Sequence, residues 1–175
     1  MRGENAAVQK QNSNATADSR PVNDENSNAT VVKNASPKTL DCNDPAGYSF
    51  VIAKDPGRAS QNSGTVPKIL NVVVGDETKW AIKVPTDSDA MGFSMRPPEK
   101  TKEGFKIIIE YGSRNYYRKQ LFFICKEGDF YLYKVNVESF DKNNPQSVDN
   151  WDRKEIKVEP NLPIEKFSIF DYLVN

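Results

Sequence analysis

The chain has 175 residues, enough for one domain with a sizeable core, and its 24 Lys and Arg balance 24 Asp and Glu, so no global basic field gathers phosphates. That balance argues against a nucleic-acid partner. Histidine is absent and Cys42 and Cys125 are the only thiols, which removes the commonest general base and the ligand set of a structural zinc site.

No run of about 18 apolar residues occurs, so no membrane span is expected. The first residues also lack the short apolar core of an export signal, so the chain either stays in the cytoplasm or is shown without its leader.

Residues 1–41 read as a disordered, low-complexity N-terminal arm. Every aromatic residue lies at or beyond Tyr48, and a segment this rich in Asn, Ser, Ala and Thr cannot bury enough apolar surface to offset the entropy of ordering it. NSNAT occurs at 12–16 and 26–30, and NAS at 34–36. These create Asn-x-Ser/Thr triplets at Asn14, Asn28 and Asn34, which the composition alone accounts for.

Residues 42–175 read as a single antiparallel β domain, because short apolar runs alternate with Gly, Pro, Asn and Asp. A first strand is predicted over 48–54, with Tyr48, Phe50 and Ile52 on one side. KILNVVVGDETKWAIKV reads as a hairpin of strands at 68–74 and 78–84, turning at Gly75 and Asp76. In its return strand Trp80, Ile82 and Val84 alternate with Lys79, Ala81 and Lys83, so one face is buried and the other wet. A short piece from Phe93 to Met95 stops at Pro97 and Pro98, which cannot donate to a ladder and therefore belong at a sheet edge.

A three-stranded meander follows: FKIIIEY at 105–111, the turn GSRN, Tyr116 to Cys125, a tight turn at Glu127 and Gly128, and Phe130 to Glu138. A two-residue loop there sets Cys125 opposite Phe130. Leu121, Phe123, Cys125, Phe130 and Leu132 then share one face, and Phe122, Ile124, Tyr131, Tyr133, Val135 and Val137 the other. A ribbon apolar on both faces is expected to be covered on both. RKEIKVE at 153–159 is a further strand, and LPIEKFSIFDYLV reads as a short C-terminal helix opening at Pro163. The fold expected is a mainly antiparallel β-sandwich or partly open barrel.

The two cysteines sit at the root of the arm and at the turn end of a central strand. A disulfide between them is expected, and with it a periplasmic or secreted location. TDSDAMG at 86–92 places Asp87 and Asp89 as in a calcium loop, but Met91 and Pro98 stand where oxygen ligands should be, so it reads as a solvated turn. No metal and no cofactor are expected. SRNYYRK at 113–119 reads as a hairpin tip rather than a base-stacking surface. No phosphate cradle, nucleophile elbow or Cys-His pair is present, so a non-enzyme is expected.

The remaining candidates belong to recognition. DKNNPQSVDNWD at 141–152 sets Trp151 among Asp141, Asp149 and Asp152, and Arg114 and Tyr116 lie at a neighbouring turn. Trp, Tyr and Arg are the types enriched where protein partners meet. These six residues are the predicted partner-binding set, in a small exported binding protein: a periplasmic inhibitor, or an immunity protein neutralising an enzyme or toxin. The alternatives are a barrel carrier of an apolar ligand, with Phe122, Tyr131 and Tyr133 lining its mouth, and a hydrolase using two carboxylates.

Overall fold

Period-two alternation decides which side of each strand is buried. It is plainest in β3 (Glu77–Val84), where Trp80, Ile82 and Val84 are buried while Lys79, Ala81 and Lys83 are exposed. The computed structural model describes residues 39–58, 65–144, 146 and 151–173. β1 (Tyr48–Lys54), β2 (Lys68–Val74) and β3 form a three-stranded antiparallel sheet in the order β1-β2-β3. A larger sheet contains β4 (Ser94–Met95), β5 (Glu99–Lys100), β6 (Gly104–Tyr111), β7 (Asn115–Lys126), β8 (Asp129–Asp141) and β9 (Asp152–Pro163). Its order is β4-β6-β7-β8-β9, with β5 also on β6, and all its pairs are antiparallel. The two sheets form an open sandwich rather than a barrel. Pro97 and Pro98 fall between the two-residue edge strands β4 and β5, as their missing donors require.

The core lies between the sheets. Leu70, Val72, Val74, Trp80, Ile82 and Val84 face Phe105, Ile107, Leu121, Phe123, Phe130 and Leu132. Phe105 is fully buried at the centre, stacked on Phe123 at 4.5 Å and 6°, with Phe130 edge-on at 4.8 Å. Ile52, expected on the inner face, is 39% exposed and lines a cleft of about 280 Å³ between β1 and the β4 edge, together with Val66, Phe93 and Met95.

The β7–β8 turn has the expected register, with Cys125 opposite Phe130 and Lys126 opposite Asp129. Glu127 at φ 52° and Gly128 at φ 80° are both left-handed, the geometry whose twist suits a two-residue hairpin.

Five residues past Gly128, at Tyr133, the expected face assignment fails. The pairing shifts between Phe122 and Phe123, so that Phe122 opposes Lys134 and Phe123 opposes Leu132, leaving Tyr133 as an extra residue in β8. This bulge reverses the alternation. Val135, expected on the outer face, is 1% exposed and in the core, and Val137 packs against it from the same side.

Among the described residues no second layer covers the outer face of the larger sheet. Its apolar rings are instead half-buried under long side chains of the same face. The Lys134 Nζ lies 4.5 Å from the Phe122 ring centre, and the Tyr133 hydroxyl donates to Glu103. The cover expected for both faces is thus a full layer on one and a fringe of side chains on the other.

The predicted C-terminal helix is two 3-10 turns, Ile164–Lys166 and Ile169–Tyr172. Pro163 precedes the first, and Ser168 caps the second by accepting from the Phe170 N–H. Ile164, Phe167 and Ile169 close the end of the core, a spacing that no single helical face supplies.

The arm expected over 1–41 lies outside the described residues up to position 38, as do Asn14, Asn28 and Asn34. Leu40, inside that range, is 3% exposed and belongs to the core. A Cβ at Gly128 would approach Thr39 at 3.2 Å, so residues 39–40 lie directly over the β7–β8 turn. Cys42 is bonded to Cys125, 83 positions along the chain, which fastens this stretch to β7 as the sequence predicts.

Candidate recognition face

The cross-strand register of the larger sheet lines up its outer-face residues in rows. Glu110 on β6 opposes Arg118 on β7, Arg118 opposes Glu138 on β8, and Glu138 opposes Arg153 on β9. Opposite charges directly across an antiparallel pair attract, and here the alternation continues over four strands. Arg96, just after β4, extends the row by pairing its Nη2 with Glu110 Oε1 at 2.8 Å. Arg118 Nε donates to the same oxygen at 2.9 Å and its Nη1 to Glu138 Oε2 at 3.4 Å, while Arg153 Nε lies 3.4 Å from Glu138 Oε1. The result is a ladder, Arg96–Glu110–Arg118–Glu138–Arg153, in which two carboxylates are each shared by two guanidiniums.

Beside the ladder, two residues further along the strands, lies an aromatic row. Tyr116 opposes Phe140 in the β7–β8 register. Their ring centres are 5.1 Å apart, and Trp151, just before β9, packs on Phe140 at 4.7 Å and on Tyr116 at 5.8 Å. Arg118 joins the rows, its guanidinium 4.8 Å from the Trp151 ring centre. Lys142 stands 5.3 Å over Tyr116, and Arg114 Nη2 lies 3.5 Å from Asp141 Oδ2 at the rim. Trp151 is half-buried against the outer face and takes no part in the core between the sheets.

Three of the six predicted partner-binding residues, Trp151, Tyr116 and Arg114, therefore belong to one end of one face, and Asp141, the last residue of β8 with the parity of Ser139, joins its rim through Arg114. Asp152 is exposed at the start of β9 opposite Ser139, a position whose parity points away from the ladder. Asp149 lies outside the described residues. Sequence reasoning missed Phe140, Glu110, Arg118, Glu138 and Arg153. Their signal was a charge or ring at every second position of three strands, readable only once the Tyr133 bulge is placed.

Electrostatics hold the row together. Burial raises the Glu110 carboxyl, but the hydrogen bonds from Arg118 and Tyr116 and the charges of Arg96 and Arg118 outweigh it and hold it below the usual carboxylate range. Burial and the bond to Glu110 both push the Tyr116 hydroxyl up. Burial alone would lower Arg118, yet Glu110, Tyr116 and Glu138 reverse that and keep it charged.

A folded pKa below the unfolded one stabilises the protein above the ordinary value of 4.5, and that contribution is lost as the pH falls through the folded pKa. Glu110→Gln is therefore expected to be less stable than wild type near neutrality, with the gap closing below about pH 4.5. Urea midpoints measured from about pH 7 to pH 3 check this, and a gap independent of pH would contradict it.

Other acids serve local roles. The Asp89 carboxylate accepts from the Thr86 N–H at 2.7 Å and its hydroxyl at 2.8 Å, and Asp87 accepts from the Gly92 N–H at 2.6 Å. The 86–92 stretch is a turn held by its own carboxylates, as its sequence suggests. Comparison with known proteins finds no matching family model, no matching curated protein and no matching solved structure.

Proposed function

We propose that the chain is an extracytoplasmic binding protein that acts by protein–protein recognition through the outer face of its larger sheet. An inhibitor or immunity protein directed at an enzyme or toxin is the concrete form of this reading. The observation that carries it is the aromatic row Tyr116–Phe140–Trp151 seated beside an Arg/Glu ladder on a sheet face that no described layer covers. Aromatic and Arg side chains held rigidly by their neighbours lose little entropy on binding, and they dominate the energetics of protein interfaces. The Cys42–Cys125 bond supports an oxidising compartment. No helix among the described residues is long and apolar enough to cross a membrane.

The alternatives find less support. Phe122 and Tyr133, two of the rings proposed for a carrier's mouth, pack together on the outer face at 6.5 Å rather than around an interior space. A two-carboxylate hydrolase needs two acids converging in a cleft, and the carboxylates Glu110 and Glu138 on this face are each engaged by two guanidiniums instead.

Affinity capture with the full chain, from a lysate and culture supernatant of its source, tests the reading. A stoichiometric protein partner is expected, and Trp151→Ala is expected to weaken its binding about thirtyfold or more at a stability cost of only about 1 kcal/mol, as for another half-buried ring of this face, so that the variant stays folded. A bait that stays bare, or a partner indifferent to Trp151 and Tyr116, would refute it.

A further inference from the structure

The arrangement of charge on this face narrows the chemistry of what it takes, an inference that rests on the recognition reading. Around the aromatic row the described cations are Arg96, Arg114, Arg118, Lys142 and Arg153, set against the carboxylates Glu110, Glu138 and Asp141. Cations are in surplus although the whole chain is neutral. The surplus is greatest at the ends of the ladder. Arg118 sits between two carboxylates, whereas Arg96 and Arg153 each share one and are 54% and 76% exposed at their side chains.

We propose that this face binds an extended acidic segment of a protein partner, with one carboxylate on Arg96, one on Arg153, and an apolar side chain beside the Arg153 end on the Trp151–Tyr116–Phe140 row. Exposed guanidinium forks match single carboxylates in bidentate geometry. The span fixes the spacing. From β4 to β9 there are four interstrand steps, about 19 Å at roughly 4.8 Å each. An extended peptide covers that in about six residues. The interleaved carboxylates of Glu110 and Glu138 also select against other occupants. A uniformly charged polyanion laid across the row would meet both, whereas a segment with acids only at its ends meets neither. A second copy would bring the same cationic surplus, and like charges across an interface are costly.

The test uses the full chain and a fluorescein-labelled heptapeptide, Glu-Ser-Leu-Ser-Leu-Ser-Glu, whose two Glu and two Leu share one face when extended, followed by anisotropy at low salt. Its comparators are the same peptide with both Glu replaced by Gln, heparin, and a single-stranded oligonucleotide. The acidic peptide is expected to bind, to lose about tenfold or more on its Glu-to-Gln exchange, and to lose about as much on the Arg96→Gln/Arg153→Gln double substitution. Both arginines are exposed at the ends of the ladder, so the unfolding midpoint of that variant should fall only slightly, by less than that of Glu110→Gln, which removes a shared carboxylate.

No binding at millimolar peptide, equal binding of the Gln peptide, or tighter binding of heparin or oligonucleotide than of the peptide would each overturn the proposal. A captured partner lost with Trp151→Ala but unaffected by the double Arg substitution would leave the recognition reading standing and remove the acidic segment. Peptide binding with no capturable partner would do the reverse.

Discussion

Phe105→Ala is expected to cost about 4 kcal/mol of stability, the upper range for truncating a buried aromatic. The residue is fully buried, and four rings depend on it: Phe123 stacked at 4.5 Å, Phe130 edge-on at 4.8 Å, Phe50 at 5.0 Å and Tyr48 at 6.5 Å. Removing the central ring loses its own transfer free energy. It also leaves a void that two hydrogen-bonded sheets cannot close by collapsing, because the rings around it are anchored to three strands, β1, β7 and β8, in both sheets. Phe122→Ala, one position along the same ladder region but on the outer face, should cost only about 1 kcal/mol, since that ring is half-buried under Lys134. Urea unfolding of the two variants checks the layer assignment. Equal losses would mean that the outer face is as much a core as the inner one.

The second large effect concerns sulfur. Joining positions 83 apart removes loop-closure entropy from the unfolded chain, and on that model the Cys42–Cys125 bond contributes about 4 kcal/mol. The paired substitution Cys42→Ser/Cys125→Ser should lose about that amount, and wild type in reductant should match it. The bond also holds residues 39–42 across the β7–β8 turn, where Leu40 is buried. Hydrogen exchange in the variant should therefore rise first at Leu40 and at the Glu127–Gly128 turn. A loss below about 1 kcal/mol, or exchange unchanged at that turn, would show that packing alone secures the segment. Stability of a domain this size is about 5–15 kcal/mol, so either change removes a large share of it.

Much of the architecture is legible in the residues because local rules and tertiary packing agree. β1, β2 and the β7–β8 turn fall where alternation, Gly75 and Gly128 place them, and the paired prolines mark the sheet edge. The C-terminus was ambiguous for a physical reason. Phe167 and Ile169 have strand spacing and Ile164 and Phe167 have helical spacing, and two short 3-10 turns use both. The recognition face was half legible. Trp151, Tyr116 and Arg114 declare themselves by residue type, but Arg118, Glu110, Glu138 and Arg153 look like ordinary strand charges until pairing sets them side by side. Composition gives no sign that four of the five arginines among the described residues, all but Arg58, gather on one surface of a neutral chain.

The misreading of β8 was of another kind. Tyr133, Val135 and Val137 alternate faultlessly with Lys134 and Asn136, so nothing in the pattern announces that the strand is out of step after Leu132. The extra residue acts like a frameshift: downstream of it, what would have pointed inward points outward. Glu138 and Phe140 reach the outer face, and Val135 and Val137 the interior, solely because one tyrosine is unopposed. The bulge also sets what the strand tolerates: deleting one residue at Tyr133 or Lys134 would close it and leave both sets in place, whereas inserting one, unless a second bulge takes it up, would exchange them, burying a carboxylate and exposing valines together.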